Sequence, residues 1–256
     1  MFATSRDGTQ IYYEATGSGP VALVCVHGWM GHTRWWDSVR DAFSSTHEVL
    51  TLDLAGHGGS GTRANNSAQS YAEDVLAVAA MAQAPRVVLV GHSMSGAWVT
   101  IAAPQTERLA AVILVDTLKN LDAMPTQAQA DQMLGMYRQD YANAVATLFP
   151  KFLFSPQTPT AVSDALLKRF MSVSGDVAAD LLAPLYRIDV RESAPLVSVP
   201  VRGITGDHAP GNPEVNRRYY ADYDVVALTG CGHYPMLEQP AAFNALLRAT
   251  LISLGL

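Results

Sequence analysis

A chain of 256 residues, of which 49% are apolar and 16% charged, can bury a large core within one domain and is not of the disordered class. Its net charge of −6 offers no basic surface for nucleic acid or an anionic membrane. The sequence lacks a signal-peptide pattern at its start and any apolar run near the roughly 18 residues that span a bilayer. We therefore expect a cytoplasmic monomer or homodimer whose partner is a small-molecule substrate.

Strand and helix patterns alternate along most of the chain. Apolar runs predict strands at residues 21–26, 49–54, 86–90, 111–115, 199–205 and 225–228. Helix patterns lie between and after them, at residues 35–43, 71–83, 93–103, 214–220 and 241–254. Unbroken apolar strands that alternate with helices favour an α/β fold with a mostly parallel sheet covered on both faces. Residues 10–14 suit an antiparallel strand at one edge.

The alternation stops between residues 118 and 195. Helix patterns lie at 127–141, 141–149, 159–173 and 177–186, punctuated by Pro125, Pro150, Pro156 and Pro159, and no strong strand pattern intervenes. We interpret residues 118–195 as a helical lid inserted into a core that residues 1–117 and 196–256 form.

A serine lies at a tight turn between a strand pattern and a helix pattern. Residues 91–96 read GHSMSG, follow the strand predicted at 86–90 and open the next helix. Such a turn lifts the hydroxyl of Ser93 above the sheet edge, at the positive end of the helix, where negative charge develops during acyl transfer. The context indicates a nucleophile elbow with Ser93 as the nucleophile.

This turn resembles the nucleophile elbow of the α/β-hydrolase superfamily, whose usual pattern is G-x-S-x-G. Ser95 stands at the last glycine of that pattern, and Gly96 follows one position later. The resemblance implies a mostly parallel eight-stranded sheet with helices on both faces. It also implies a catalytic triad in the chain order serine, acid, histidine.

The other two members of the triad are expected after later strands. His233 follows the strand predicted at 225–228, and residues 230–243 resemble the histidine loop of the superfamily. Two aspartates are candidates for the acid. Asp207 follows the penultimate strand, where the superfamily most often places the acid, whereas Asp116 follows the strand at 111–115, where a minority of members place it. We favour Asp207 and keep Asp116 as the alternative.

The superfamily resemblance also implies an oxyanion hole. Residues 27–30 (HGWM) match the segment that supplies one backbone N–H, here that of Trp29, and the residue after the nucleophile, Met94, supplies the second. We expect the ring of His27 only to order this loop and assign it no proton transfer.

One motif is interpreted as a chance match. Residues 56–61 (GHGGSG) fit the dinucleotide pattern G-x-G-x-x-G, but a polar segment without helical period follows where a phosphate-binding helix is required. Residues 53–58 fit instead the structural D-x-x-G-x-G loop of the superfamily. With no metal-ligand spacing in the sequence either, we expect neither a cofactor nor a metal.

Large apolar residues of the insertion, together with a few from the core, are expected to bind the substrate. The candidates are Met30, His92, Met124, Tyr137, Phe149, Phe152, Leu181, Leu185, Tyr186 and His208. They offer no clear clamp for a carboxylate or phosphate, so a small to medium, largely uncharged carboxylic ester or lactone is the expected substrate.

The sequence thus predicts a carboxylesterase-like serine hydrolase that acts through an acyl-enzyme on a Ser93–His233–Asp207 triad. Three alternatives share this fold and stay open: a C–C bond hydrolase using the same triad, a cofactor-free dioxygenase, and a ligand sensor with slow turnover. Fold alone does not choose a substrate among them.

Overall fold

The computed structural model describes residues 1–209 and 211–256. Its strands are β1 (Phe2–Thr4), β2 (Gln10–Thr16), β3 (Val21–Val26), β4 (Glu48–Leu52), β5 (Arg86–His92), β6 (Leu109–Val115), β7 (Val201–Gly206) and β8 (Tyr223–Leu228). They form one sheet of eight strands in the order β1-β2-β4-β3-β5-β6-β7-β8. β2 pairs antiparallel with β1 and β4, and the remaining pairs are parallel. The predicted α/β fold and its antiparallel edge are confirmed.

Helices connect the strands and cover the sheet. The α-helices are α1 (Asp37–Phe43), α2 (Ala68–Ala79), α3 (Ser95–Ala102), α4 (Gln127–Asn143), α5 (Phe149–Leu153), α6 (Thr160–Phe170), α7 (Gly175–Leu182), α8 (Val190–Ser193), α9 (Pro213–Asn216), α10 (Pro235–Glu238) and α11 (Pro240–Ser253). Short 3₁₀ turns occupy Thr33–Trp36, Ala103–Gln105, Leu121–Ala123, Ala183–Arg187 and Ala194–Leu196, and a π-helical turn occupies Ala144–Leu148.

The core sits around the central strands. Every residue of β3 and β4 is buried, so side chains that point to either face of the sheet are covered. α2 packs against α3, and α1 packs against α11. β8 has one neighbouring strand and is buried only at its two end residues, Tyr223 and Leu228. The continuous hydrophobic run of each central strand therefore places that strand in the middle of the sheet, covered on both faces.

Some element boundaries differ from those predicted. α2 begins at Ala68 because Ser67 and Ser70 form a reciprocal capping box, a polar signal upstream of the apolar period. The helix predicted at 214–220 is only the four-residue α9. β1 was not predicted, since only one of its three residues is buried.

The insertion between β6 and β7 is helical, as predicted. Its longest helix, α4, departs from helical geometry at Asp140, with φ −149° and ψ 62°, and continues into the π-helical turn. Within residues 118–195 the structure contains helices and turns but no strand. The interpretation of this segment as a lid stays a prediction.

Candidate active site

Ser93 occupies a strained turn between β5 and α3. Its φ of +53° lies in the left-handed region, which a residue with a side chain adopts only where the surroundings impose it. Two glycines permit the turn: a Cβ at Gly91 would lie 2.5 Å from the carbonyl oxygen of Ser95, and one at Gly96 would lie 2.3 Å from the Thr117 side chain. The close approach that the elbow requires therefore falls on residue 96.

The serine that replaces the usual last glycine of the elbow has a partner of its own. Ser95 is fully buried, and its hydroxyl donates a hydrogen bond of 2.5 Å to the carbonyl oxygen of His27. This bond ties the elbow to the loop that follows β3. The departure from the superfamily pattern thus adds a link between two loops that meet at Ser93.

His233 lies beside the serine. The Oγ of Ser93 is 2.8 Å from Nε2 of His233, and Nδ1 of the same ring is 2.6 Å from Oδ2 of Asp116. An ionised carboxylate only accepts hydrogen bonds, so the neutral ring donates through Nδ1 and accepts the serine proton at Nε2. The three side chains form a continuous hydrogen-bonded chain.

The acid beside His233 is Asp116, not Asp207, and the preferred prediction was wrong on this point of geometry. Asp116 follows β6 with a left-handed φ of +44°, which turns its carboxylate toward the histidine loop. Asp207 is exposed after β7, and its Oδ1 accepts a 3.3 Å hydrogen bond from the backbone N–H of Cys231. Both aspartates end neighbouring parallel strands, so strand position did not distinguish them.

Two further donors hold the Asp116 carboxylate. The backbone N–H of Gly206 donates to its Oδ1 over 2.8 Å, and Nζ of Lys119 lies 2.7 Å from the same oxygen. Burial by itself would raise the pKa of Asp116, but the hydrogen bond from His233 and the charges of His233 and Lys119 outweigh it and hold the pKa well below its usual range. The buried carboxylate is therefore ionised at neutral pH.

The histidine loop is fixed by a buried glutamate. Glu238 accepts hydrogen bonds from the backbone N–H groups of Gly232 and Tyr234, at 2.8 and 2.9 Å, on either side of His233. The hydroxyl of Thr158, from the insertion, donates to the same carboxylate at 2.5 Å. Glu238 thus connects the backbone around His233 to the insertion.

The loop after β3 passes close to Ser93. A Cβ at Gly28 would lie 2.8 Å from the Cβ of Ser93, so only a glycine allows this approach. The next residue, Trp29, lines the same cavity as Ser93, and its indole N–H donates a 2.9 Å hydrogen bond to the Ala178 carbonyl of α7. The candidate oxyanion donor is thereby attached to the insertion as well as to the core.

Aromatic rings pack around Trp29. It stacks on Tyr137 and Phe170, with centroids 5.6 and 5.7 Å apart, and meets Phe149 edge-on at 5.6 Å. Such contacts add stabilisation beyond the area that they bury. The Trp29 loop is therefore held by residues of three different insertion helices.

Buried histidines order the loops around the site. Nε2 of His27 accepts a hydrogen bond from the Leu54 N–H, and its Nδ1 lies 2.7 Å from the Gly28 carbonyl. Nε2 of His92 lies 2.8 Å from the backbone carbonyl of His233. Burial lowers the pKa of both rings to about 3, so each is neutral at ordinary pH. These contacts fit the ordering role expected for His27.

The loop with the dinucleotide-like pattern is held by Asp53. Its carboxylate accepts backbone hydrogen bonds from Thr33 and Gly59, both of 2.7 Å. A Cβ at Gly58 would overlap this carboxylate at 1.9 Å. The glycines of this segment thus serve a compact turn around an aspartate.

A cavity of about 1000 Å³ opens onto the serine and the histidine. Seven predicted residues line it: Trp29, His92, Tyr137, Phe149, Phe152, Leu185 and Tyr186. The rest of the lining, apart from Ser93 and His233, is Gln129, Asp131, Gln132, Met133, Gly135, Met136, Gln139, Leu148, Leu153, Leu182 and Tyr234. Much of the second group lies along α4, whose polar lining residues Gln129, Asp131, Gln132 and Gln139 were not predicted.

Four predicted substrate-binding residues lie outside this lining. Met30 is buried, and Met124 directly follows the 3₁₀ turn before α4. The side chain of Leu181 points toward Gly56, and its neighbour Leu182 lines the cavity instead. His208 pairs through Nε2 with the carbonyl of Phe152, 2.9 Å away. Size and apolar character do not reveal which side of a short helix faces a cavity.

No cluster of three or more histidine, cysteine or acidic side chains in residues 1–209 and 211–256 has an arrangement that could hold a metal ion. None of the helices in that part of the chain is both long and apolar enough to cross a membrane. The cysteines, Cys25 and Cys231, are both buried and free.

Known proteins resemble this chain over nearly its full length. A model of the alpha/beta hydrolase family matches residues 23–246. A pimeloyl-(acyl-carrier protein) methyl ester esterase from Nitrosomonas europaea is 26% identical over 249 residues, which cover 91% of this chain and 96% of the relative. An esterase structure from Exiguobacterium antarcticum superposes with a TM-score of 0.84 at 21% identity, covering 98% of each chain. An enol-lactonase from Burkholderia xenovorans gives 0.81 at 20% identity, covering 98% of this chain and 100% of the other.

The eight-stranded sheet, with a serine at the turn between β5 and α3, has the alpha/beta hydrolase fold, in agreement with the family model. The chain belongs to the alpha/beta hydrolase family, and it is a hydrolase.

Proposed function

We propose that this protein is a serine hydrolase that cleaves small to medium, largely uncharged carboxylic esters or lactones through an acyl-enzyme on Ser93. The observation that carries the proposal is the 2.8 Å contact between Ser93 Oγ and His233 Nε2 at the cavity. The esterase relative from Nitrosomonas europaea supports ester cleavage.

In the first step His233 Nε2 takes the Ser93 proton while Oγ attacks the carbonyl carbon and the carbonyl electrons move to oxygen. The backbone N–H groups of Trp29 and Met94 stabilise this oxyanion, an interaction typically worth about 3–4 kcal/mol of barrier per donor. The intermediate collapses as the carbon–oxygen bond to the alcohol breaks, and His233 returns the proton to the leaving oxygen.

Water then releases the acid. His233 removes a proton from a water molecule, which attacks the acyl carbon, and the second tetrahedral intermediate expels Ser93 Oγ with its proton restored. Asp116 keeps Nδ1 protonated and stabilises the imidazolium in both steps without itself taking the proton. The triad we propose is therefore Ser93–His233–Asp116.

The cavity supports an uncharged substrate. The residues that line it within the described chain include the carboxylate of Asp131 but no lysine or arginine, so a carboxylate on the substrate would find no cationic partner. Aromatic and aliphatic side chains such as Tyr137, Phe149 and Leu185 offer apolar contact in the cavity that Ser93 also lines. Polar side chains of α4, Gln132 and Gln139 among them, are exposed and suit the solvated end of a longer molecule.

The test is a substrate panel on the wild type and two variants. We expect hydrolysis of 4-nitrophenyl acetate to decanoate, medium-chain methyl esters and lactones, with kcat/KM lowered by several orders of magnitude in Ser93→Ala. Ser172→Ala, at an exposed serine of the insertion, controls for serine replacement and keeps wild-type rates. A Ser93→Ala variant with more than a few per cent of the wild-type rate would refute the covalent route.

The same panel separates the alternatives. A vinylogous diketone cleaved faster than any ester would favour a C–C bond hydrolase, and oxygen uptake with an aromatic N-heterocycle that survives Ser93→Ala would favour a dioxygenase. Turnover slower than about one per minute on every substrate, together with tight ligand binding, would favour a sensor, since enzymes typically turn over at about 1–1000 per second.

A further inference from the structure

A lysine shares the carboxylate that pairs with His233. Oδ1 of Asp116 lies 2.7 Å from Nζ of Lys119, while Oδ2 lies 2.6 Å from Nδ1 of His233. The Lys119 side chain is 14% exposed and that of Asp116 only 2%, so little water screens the pair. One buried carboxylate therefore stands between a cation and the imidazole.

We propose that Lys119 is a positioning residue that fixes the Asp116 carboxylate against His233 and keeps the imidazole uncharged, and so able to accept the serine proton, at mildly acidic pH. This inference rests on the proposed function, because it concerns the base of that mechanism.

The loop geometry is built to hold the lysine in place. Residues 116 and 118 both have left-handed φ values, +44° at Asp116 and +45° at Leu118, although neither is a glycine. The amide of Asn216 donates to the Leu118 carbonyl over 2.6 Å, and the N–H of Asn212 donates to the Lys119 carbonyl over 2.7 Å. Such backbone conformations persist only where the surroundings over-determine them, and they cluster at functional sites.

The ammonium group has three acceptors. Besides Asp116, it donates to the backbone carbonyls of Gly206 and Ala209, at 3.0 and 3.3 Å. The N–H of Gly206 in turn donates to Asp116. Lys119 thus closes a ring of contacts between the end of β6 and the loop after β7, and this ring leaves Asp116 rather than Asp207 beside the histidine.

The effect on the base follows from charge. A carboxylate close to an imidazole favours the imidazolium, whereas a cation at the far oxygen of that carboxylate opposes it. With Lys119 present, the carboxylate still orients the ring through Nδ1, but the net charge facing the ring is reduced. Removal of the Lys119 charge should therefore favour the imidazolium.

Other ionisable groups lie around Asp116, Lys119 and His233. Burial lowers the pKa of His92 to about 3 and raises the pKa of Cys231 to about 12, so neither changes charge at mildly acidic pH. Burial also raises the pKa of Tyr234 well above its usual range. The remaining acids are Glu238, bonded to the histidine loop, and Asp207, bonded to the Cys231 N–H. Lys119 is the one lysine or arginine that contacts Asp116 among the described residues.

The experiment compares Lys119→Met with Lys119→Arg and with Lys168→Met, a control at an exposed lysine on α6. The kcat/KM of each folded variant is measured from pH 5 to pH 9 on a 4-nitrophenyl ester. In Lys119→Met we expect the acidic limb of the curve of kcat/KM against pH to move to higher pH by about one unit. At pH 5.5 the kcat/KM of this variant should therefore fall about tenfold relative to its plateau value. Lys119→Arg keeps the positive charge and should leave the acidic limb close to its wild-type position, and Lys168→Met should not move it.

A second readout does not depend on turnover. The His233 ring is followed by NMR titration in protein labelled at histidine, with the signal assigned by its loss in His233→Gln. We expect the titration midpoint in Lys119→Met to move upward together with the activity limb. An unchanged midpoint and limb, with or without a lower plateau, would overturn the proposal and leave Lys119 a structural residue. If no ester is cleaved but the midpoint still moves, the proposed function fails while the role of Lys119 stands.

Discussion

The Asp116 carboxylate lies 2.6 Å from His233 Nδ1, although the two residues are 117 positions apart in the chain. β6 and β7 are parallel neighbours, so both deliver an aspartate to the same edge of the sheet. The left-handed turn at Asp116, held by Lys119 and Gly206, decides which of the two reaches the ring.

The first prediction concerns the two aspartates. Asp116→Asn should lower kcat on esters by on the order of 10³–10⁴-fold, because the amide no longer enforces the tautomer or stabilises the imidazolium. Asp207→Asn should keep kcat within about twofold. Steady-state kinetics on both purified variants checks this, and a larger loss in Asp207→Asn than in Asp116→Asn would reverse the assignment.

The second prediction concerns Glu238, which bonds the backbone on both sides of His233. Glu238→Ala leaves the buried N–H groups of Gly232 and Tyr234 without this acceptor, at a cost of about 1–3 kcal/mol each. We expect a lower unfolding free energy and a fall in kcat with little change in KM, since the ring loses its fixed position.

The control for that variant is Glu107→Ala, at an exposed glutamate in the turn before β6. Chemical denaturation and kinetics are measured on the same preparations. If Glu238→Ala is less stable but its folded fraction has wild-type kcat, the glutamate supports the fold and not the alignment of His233.

The third prediction concerns a glycine inside α4. Gly135 lines the cavity, and a Cβ there would meet nothing within 4 Å. Glycine in a helix interior costs about 1 kcal/mol relative to alanine, so Gly135→Ala should raise the melting temperature by about 2–4 °C. Gly135→Leu should lower kcat/KM for decanoyl esters more than for acetyl esters, because its side chain occupies cavity space.

Gly175→Ala is the contrasting variant. A Cβ at Gly175 would lie 2.1 Å from the Tyr137 carbonyl, so this change should destabilise the protein where Gly135→Ala stabilises it. Thermal unfolding and an ester chain-length series provide both readouts. Equal losses on short and long esters in Gly135→Leu would show that the substrate does not pass this part of α4.

The fourth prediction concerns stability and pH. His27, His57 and His92 are buried, and burial lowers the pKa of each to about 3. The unfolded chain therefore binds more protons than the folded one between about pH 3 and pH 6.5, and the free energy of unfolding rises with pH across that window. Each ring contributes up to about 1.4 kcal/mol per pH unit to this rise in the free energy of unfolding.

Urea unfolding at half-unit steps from pH 5 to pH 8 measures this slope, in a range where most carboxylates remain ionised. We expect the free energy of unfolding to fall steadily below about pH 6.5 and to be nearly level above pH 7. Constant stability between pH 5 and pH 6.5 would mean that these rings are protonated in the folded state.

Sequence alone could predict the parts of this protein that local patterns encode. Central strands such as β3 are continuous apolar runs, and the turn around Ser93 has a strand before it and a helix after it. His233 could be located because its loop resembles that of a known superfamily.

The choice of acid and the shape of the cavity depend on contacts between distant residues. Lys119 reaches Asp116 because the backbone turns through left-handed conformations at Asp116 and Leu118. Neither residue is a glycine, so the sequence does not predict this turn. The cavity wall along α4 includes Gln132 and Gly135, which a search for large apolar side chains passes over. Asn212 and Asn216 hold the loop after β6 by hydrogen bonds to Lys119 and Leu118. Predicting these bonds requires knowing that β6 and β7 are neighbours in the sheet.

The central claim is that Ser93 becomes acylated, and the most direct measurement is the mass of the intact protein after reaction with a fluorophosphonate. We expect one adduct on the wild type, mapped to Ser93 by peptide sequencing, formed in step with the loss of ester hydrolysis and absent from Ser93→Ala. An adduct that persists in Ser93→Ala, or full hydrolytic activity in a protein already labelled at Ser93, would contradict the account.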